Sequence, residues 1–172
     1  PLGLGPHGLV SEALLLHMKS PAIHGALNMI YRYGITEDEA YAQKVYPYLR
    51  GVADFWEKDL VCRDGVYHVV GDGMHERTDG NIRDNGVPED PVNTLGYLKT
   101  FFTWMPRISE ALDLDEKKRE KWLEIAENLA PYPKGTIREI QENPTLWKEV
   151  DVKLEDLLPE EMLDKEIYYD EG

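Results

Sequence analysis

Residues 46–76, YPYLRGVADFWEKDLVCRDGVYHVVGDGMHE, run from an aromatic-rich helical pattern into a glycine-turned strand pair and then a polar loop. Val45, Tyr48, Leu49, Val52, Phe55 and Trp56 recur at three- and four-residue spacing, which predicts a helix with one buried stripe. Pro47 lacks a backbone N–H, so it should bend that helix or split it into a short lead and a longer second part. The next segment, VCRDGVYHVV over residues 61–70, is β-prone on both sides of Asp64-Gly65, a dipeptide suited to a tight hairpin turn. Residues 71–91, GDGMHERTDGNIRDNGVPEDP, then form a long polar loop rich in Gly, Asp and Asn. A loop longer than about 15 residues inside a compact domain is usually functional or disordered.

On the N-terminal side, Thr36 with Glu39 three residues on is a capping-box signal for that helix, which should end near Leu60. Ser20 as a cap followed by Pro21 at the first helical position predicts an earlier helix to about Tyr33, ended by Gly34, and Leu9–Lys19 reads as a short, mostly buried helix. On the C-terminal side, Asn93 should cap a helix to about Leu112. Its residues Leu95, Leu98, Phe101, Phe102, Met105 and Ile108 face inward, and Pro106 marks a bend. Asp115 should cap the charged helix that follows, whose apolar side is Trp122, Leu123, Ile125, Ala126 and Leu129. Pro131 and Pro133 stop it. The pattern weakens beyond Gly135, with short helical pieces around residues 144–150 and 154–164 before an acidic tail. The expected organisation is a mainly α segment over residues 1–135, interrupted by a β-hairpin and polar loop at 61–91, then an irregular, partly helical tail over 136–172.

The chain has 172 residues, a hydrophobic content of 42% and a formal net charge of −14, with a sequence pI near 4.7. That content is enough to bury a core. The charge argues against nucleic acid, whose phosphates must be met by clustered Lys and Arg, and against adhesion to anionic membranes. Cys62 is the only cysteine, so no intramolecular disulfide and no zinc site built on paired cysteines can form. No apolar run approaches the length of a membrane span. The opening Pro1-Leu2-Gly3 lacks an initiator Met, a basic leader and an apolar signal core, so an internal start is expected.

Glu76 leads the residues suited to chemistry, because it follows Gly-Asp-Gly-Met-His in a loop at the mouth of the hairpin. A glycosidase needs one protonated carboxyl group for the departing oxygen and a second, ionised one to activate water or attack the sugar. Asp72, Asp79, Asp84, Glu89 and Asp90 share that loop and include candidates for the second role, for a calcium-like oxygen site, or for plain solvation. His68, His75 and Glu76 imitate part of a metal site, yet HExxH spacing is absent, so no metal and no cofactor is assigned. His24 and Asn28 lie four apart on one helical face, as a polar cluster toward a sugar or as a hydrogen-bonded core pair. Trp56 and Tyr67, with Trp104 and Trp122, supply flat aromatic faces on which sugar rings stack, although helical spacing places most such residues in a core.

Two stretches resemble glycoside hydrolase family 95 and its relatives. YRYGITEDEAYAQKVYPYLRGVADFWEKDLV, residues 31–61, is similar to a family segment with Tyr46, Pro47, Gly51, Ala53, Phe55 and Trp56 at the matching positions. LGYLKTFFTWMPRISEALDLDEKKREKWLEIAENLAPYPKG, residues 95–135, is similar to the family's next helical hairpin, including its closing Pro-Tyr-Pro. The resemblance implies a six-hairpin glycosidase-like (α/α)6 toroid, of which this chain is a part. It implies hydrolysis of α-linked sugars such as L-fucosides or L-galactosides with inversion, and an extracellular or periplasmic setting. Glu76 matches the family's general acid, and His75, Asp72, His24, Asn28 and Trp56 become substrate-binding candidates. Gly71 to His75 stand where the family tends to carry a Ser-Pro-rich run, and no residue here matches the family's base. The implied partners are carbohydrate and the remainder of a larger polypeptide or a companion chain. The alternatives are a non-catalytic helical binding domain of the same architecture, or a toroid lyase or epimerase with His75 or Tyr67 as base.

Overall fold

A computed structural model describes residues 18–72, 89–142 and 156–168. The fold is mainly helical. Helices α1 (Ser20–Thr36) and α2 (Glu39–Asp59) lead into strands β1 (Val61–Arg63) and β2 (Val66–His68), and helices α3 (Val92–Ala111) and α4 (Glu116–Glu127) follow. Strand β3 (Lys134–Thr136), helices α5 (Ile137–Glu142) and α6 (Glu160–Leu163), and strand β4 (Glu166–Tyr168) complete the described elements.

The four long helices enclose the core, α3 packing on α4 and on α1, and α1 on α2. Every inward residue expected on α3 is fully buried, and Trp56, Trp122 and Ile30 join them. His24 lies against Tyr97 and Gly34 against Trp104, so α1 and α3 run in the same direction. Lys19 at the start of α1 pairs with Asp59 at the end of α2, 2.8 Å apart, so those two helices are antiparallel. The starts of α1 and α3 and the end of α2 therefore share one end of the bundle, and the β1–β2 hairpin caps it.

Several local readings shift. α1 continues through Gly34 because the Trp104 indole packs on the bare Cα, and it ends at Glu37, which takes a left-handed φ of 50°. Thr36 remains in α1, its hydroxyl donating to Arg32 O, so Asp38 caps α2 by accepting from Tyr41 N at 3.0 Å. Pro47 does not split α2, and Pro106 lies within an unbroken α3. The stripe on α2 is rotated from the expected one. Ala42, Tyr46, Leu49, Val52, Ala53 and Trp56 are inside, while Tyr48 and Phe55 are 43% and 44% exposed. Leu123 on α4 is exposed as well. The Asp64-Gly65 turn forms as expected, with both residues at positive φ and Cys62 paired to Tyr67 across it. The boundary drawn after residue 135 falls inside β3, whose antiparallel partner β4 brings residues 166–168 back to it.

Two glycines separate close packing from open surface. A Cβ at Gly34 would meet Trp104 Cη2 at 2.9 Å, whereas one at Gly51 meets nothing within 4 Å. Gly34→Ala is expected to destabilise by about 1–2 kcal/mol through overpacking, and Gly51→Ala to stabilise by about 0.5–1 kcal/mol through helix propensity. Urea midpoints of the two variants check this, and a Gly34→Ala protein no less stable than the parent would refute the close contact.

Candidate functional site

At the capped end of the bundle, residues 73–88 leave from Asp72 and return at Glu89. Both feet of that segment are held by a polar clasp. Asp72 is 0% exposed. Its Oδ1 accepts from Lys19 N at 2.6 Å and Ser20 N at 3.3 Å, and its Oδ2 accepts from Thr94 Oγ1 at 2.7 Å. Ser20 was expected to cap α1 itself. The cap instead comes from across the fold, a carboxylate placed where the helix dipole and free N–H groups favour an anion. Lys19 Nζ adds a donor to Val70 O at 2.8 Å.

The returning foot is tied to β2. Val70 and Glu89 form an antiparallel bridge, and Asp90 N donates to Val69 O at 2.8 Å. The Asp90 carboxylate accepts from Val69 N at 2.8 Å and lies 2.7 Å from His68 Nδ1. Asp90 holds a left-handed φ of 54°, a conformation that Asp tolerates better than most residues. Glu89 pairs with Arg63 at 2.5 Å.

His68, Glu89 and Asp90 bring ligand-type atoms within 4.8 Å of one another, a set that could hold a divalent ion through one nitrogen and two oxygens. Arg63 and the mutual His68–Asp90 contact already engage these groups, so they serve first as the returning half of the clasp.

Glu76 and His75 lie outside the described residues, as do Asp79 and Asp84. Of the other site candidates, Asp72 is fully buried and both of its oxygens accept from protein donors, so it acts first as a structural cap. Trp56 is 0% exposed, so its ring presents no face to a sugar. His24 is exposed and stacked on Tyr97, with ring centroids 5.5 Å apart, and Asn28 is exposed one turn further along α1. Tyr67, the alternative base, is buried at 6% exposure and its hydroxyl donates to Glu124 Oε1 at 2.6 Å while Lys121 donates to it. Burial first, and the Glu124 bond second, raise its pKa. That is a poor setting for a base.

Sequence reasoning also missed a charged seam between α2 and α4. Asp115, expected as a cap, makes no side-chain capping bond. It accepts instead from Tyr46 Oη and Arg50 Nε, each at 2.9 Å. Burial foremost, followed by the bond to Asp115, pushes the Tyr46 phenol up to about 12. The bonded Arg50 guanidinium is the main influence holding Asp54 down at about 2. Lys118 and Trp122 Nε1 both donate to Glu57, at 2.9 Å and 2.6 Å. These contacts join helices and leave no free acid or base for chemistry. The spacing of Arg50, Asp54 and Glu57 at three and four was the signal that could have revealed them.

No family model, curated protein or solved structure matches this chain. Among the described residues, no helix is long and apolar enough to cross a membrane.

Proposed function

We propose that this chain is an arc of an (α/α)6 toroid in a glycoside hydrolase acting on α-linked sugars such as L-fucosides or L-galactosides. Glu76 is its proton donor. The single observation that carries the reading is the clasp around residues 72 and 89–90. A fully buried carboxylate is costly unless it is well bonded, and here the bonds of Asp72 fix, on two helix starts, the point from which the chain continues toward Glu76. A group that must meet a glycosidic oxygen to within a fraction of an ångström needs such a mount.

The family-like motif adds support from its two faces. Tyr46, Ala53 and Trp56 are spent on the core, while Pro47, Gly51 and Phe55 face outward on α2. Tyr48 joins them, making an apolar stripe suited to a neighbouring hairpin of a ring. His24 and Asn28, exposed on α1, are placed in this reading as sugar contacts.

The test is turnover of α-L-fucosides and α-L-galactosides by the complete protein and by Glu76→Gln. A positioned general acid contributes about 10²- to 10⁴-fold. Turnover should fall on that scale, with sugar binding kept. Unchanged turnover removes the assignment, and an unsaturated or epimerised product moves the protein to the lyase or epimerase class.

A further inference from the structure

A cavity of about 530 Å³ opens beside the clasp, within the roughly 300–1,000 Å³ range of small-molecule sites. Leu95, Leu129 and Pro131 give it an apolar floor, and Tyr132 forms part of the wall. Tyr168 of β4 completes the aromatic corner, edge-on to Tyr132 with centroids 6.0 Å apart. The floor is stitched to the strand that leads into Asp72, because Ala130 N donates to Tyr67 O at 2.9 Å and Tyr67 N to Asn128 O at 2.8 Å. Leu95 lies in the first turn of α3, a few residues beyond Asp90.

The charge of this cavity runs against that of the chain. The protein carries a net −14, yet the charged side chains lining the cavity are Lys99 and Lys134, with no carboxylate among the described lining residues. Lys134 is partly spoken for, pairing with Glu166 at 3.0 Å and lying 5.1 Å from the Tyr168 ring centre. Lys99 is exposed and has no ion-pair partner among the described residues. An unneutralised ammonium lining the same cavity as two tyrosine rings suits a ring that is apolar on one face and bears an anionic group at its edge. A neutral sugar would use the tyrosines and leave the ammonium without a partner.

We propose that this cavity binds a saccharide unit bearing a carboxylate or sulfate, with Lys99 as the counter-charge and Tyr132 and Tyr168 as the aromatic wall. The sugar part rests on the hydrolase reading above, and the charge rests on the cavity alone. Titration calorimetry on the complete protein carrying Glu76→Gln tests it without turnover. The probes are a galacturonate oligosaccharide, a galactose sulfate and the neutral galactose oligosaccharide.

At least one anionic probe should bind about tenfold tighter than the neutral one, the scale of one charge-assisted hydrogen bond. The arm that binds identifies carboxylate or sulfate as the group read. Lys99→Met should remove that advantage and leave neutral binding as it was. Tyr168→Ala should weaken every probe that binds, and because Lys99 and Tyr168 are exposed, neither change threatens the core. Equal affinity for charged and neutral probes, no binding in any arm, or an advantage that survives Lys99→Met overturns the proposal. The Glu76 assignment fails separately, through unchanged turnover.

Discussion

Asp72→Ala is expected to lower stability by about 3 kcal/mol, because it strips an N-terminal cap worth about 1 kcal/mol and leaves buried donors unmet at about 1–3 kcal/mol. The groups that lose Asp72 as their acceptor are the N–H of Lys19, the N–H of Ser20 and the Thr94 hydroxyl. For a chain of this size, each kcal/mol moves the melting midpoint by about 2–4 °C. A drop of about 6–12 °C by circular dichroism is therefore expected. Asp72→Asn should cost only about 1 kcal/mol, since its carbonyl oxygen still accepts from both backbone N–H groups and its amide can donate to Thr94. If the chain works as the proposed hydrolase, activity should follow the mount rather than the charge. At a temperature where all three proteins are folded, turnover should collapse in Asp72→Ala and survive in part in Asp72→Asn. A melting midpoint within about 2 °C of the parent for Asp72→Ala would show that the clasp contributes nothing.

That clasp was only half legible in the sequence. Asp72 was one of several carboxylates in the polar loop, open to a catalytic, calcium-like or solvating role and, through the family resemblance, to a sugar contact. Nothing local indicates that a residue 52 positions from Ser20 will cap the helix that starts there. Long-range polar contacts of this kind leave no periodicity behind. Periodicity did give the buried face of α3, since its six apolar positions are all inside, although Pro91 rather than Asn93 stands at its N-cap; the Asp64-Gly65 hairpin followed from turn chemistry. On α2 the same reasoning rotated the stripe. Tyr48 and Phe55 are as apolar as Tyr46 and Ala53, and hydrophobicity alone cannot choose between two apolar faces of one helix. A helix apolar on both sides is itself informative, because it suits an element with neighbours on each side. β3 and β4 were missed for a different reason. Each is three residues long, and about thirty residues separate the pair, so neither leaves a window in which alternation can be recognised.

Trp56 and Trp122 offer the sharpest comparison, because both are 0% exposed in one core and differ in what their indole N–H groups meet. Replacing either with alanine should cost about 3–5 kcal/mol through lost burial and the cavity left behind. Phenylalanine should separate them. Trp122 Nε1 donates to Glu57 at 2.6 Å, while Trp56 Nε1 has no hydrogen-bond partner among the described residues. Trp122→Phe therefore removes a bond to a charged group, worth about 1.5–3 kcal/mol, and leaves Glu57 more dependent on Lys118. Trp56→Phe loses only packing and sheds a buried donor. Urea denaturation should place Trp122→Phe at least about 1.5 kcal/mol below Trp56→Phe. Equal costs would mean that the Trp56 N–H has a partner after all, supplied from outside the described residues. That outcome would reopen the side of α2 on which this indole lies, and with it the case for Trp56 near a ligand. The expected outcome instead assigns the most distinctive residue of the family-like motif to holding α2 in the bundle, and the proposed hydrolase reading then has to find its sugar contacts at the clasp end and along α1.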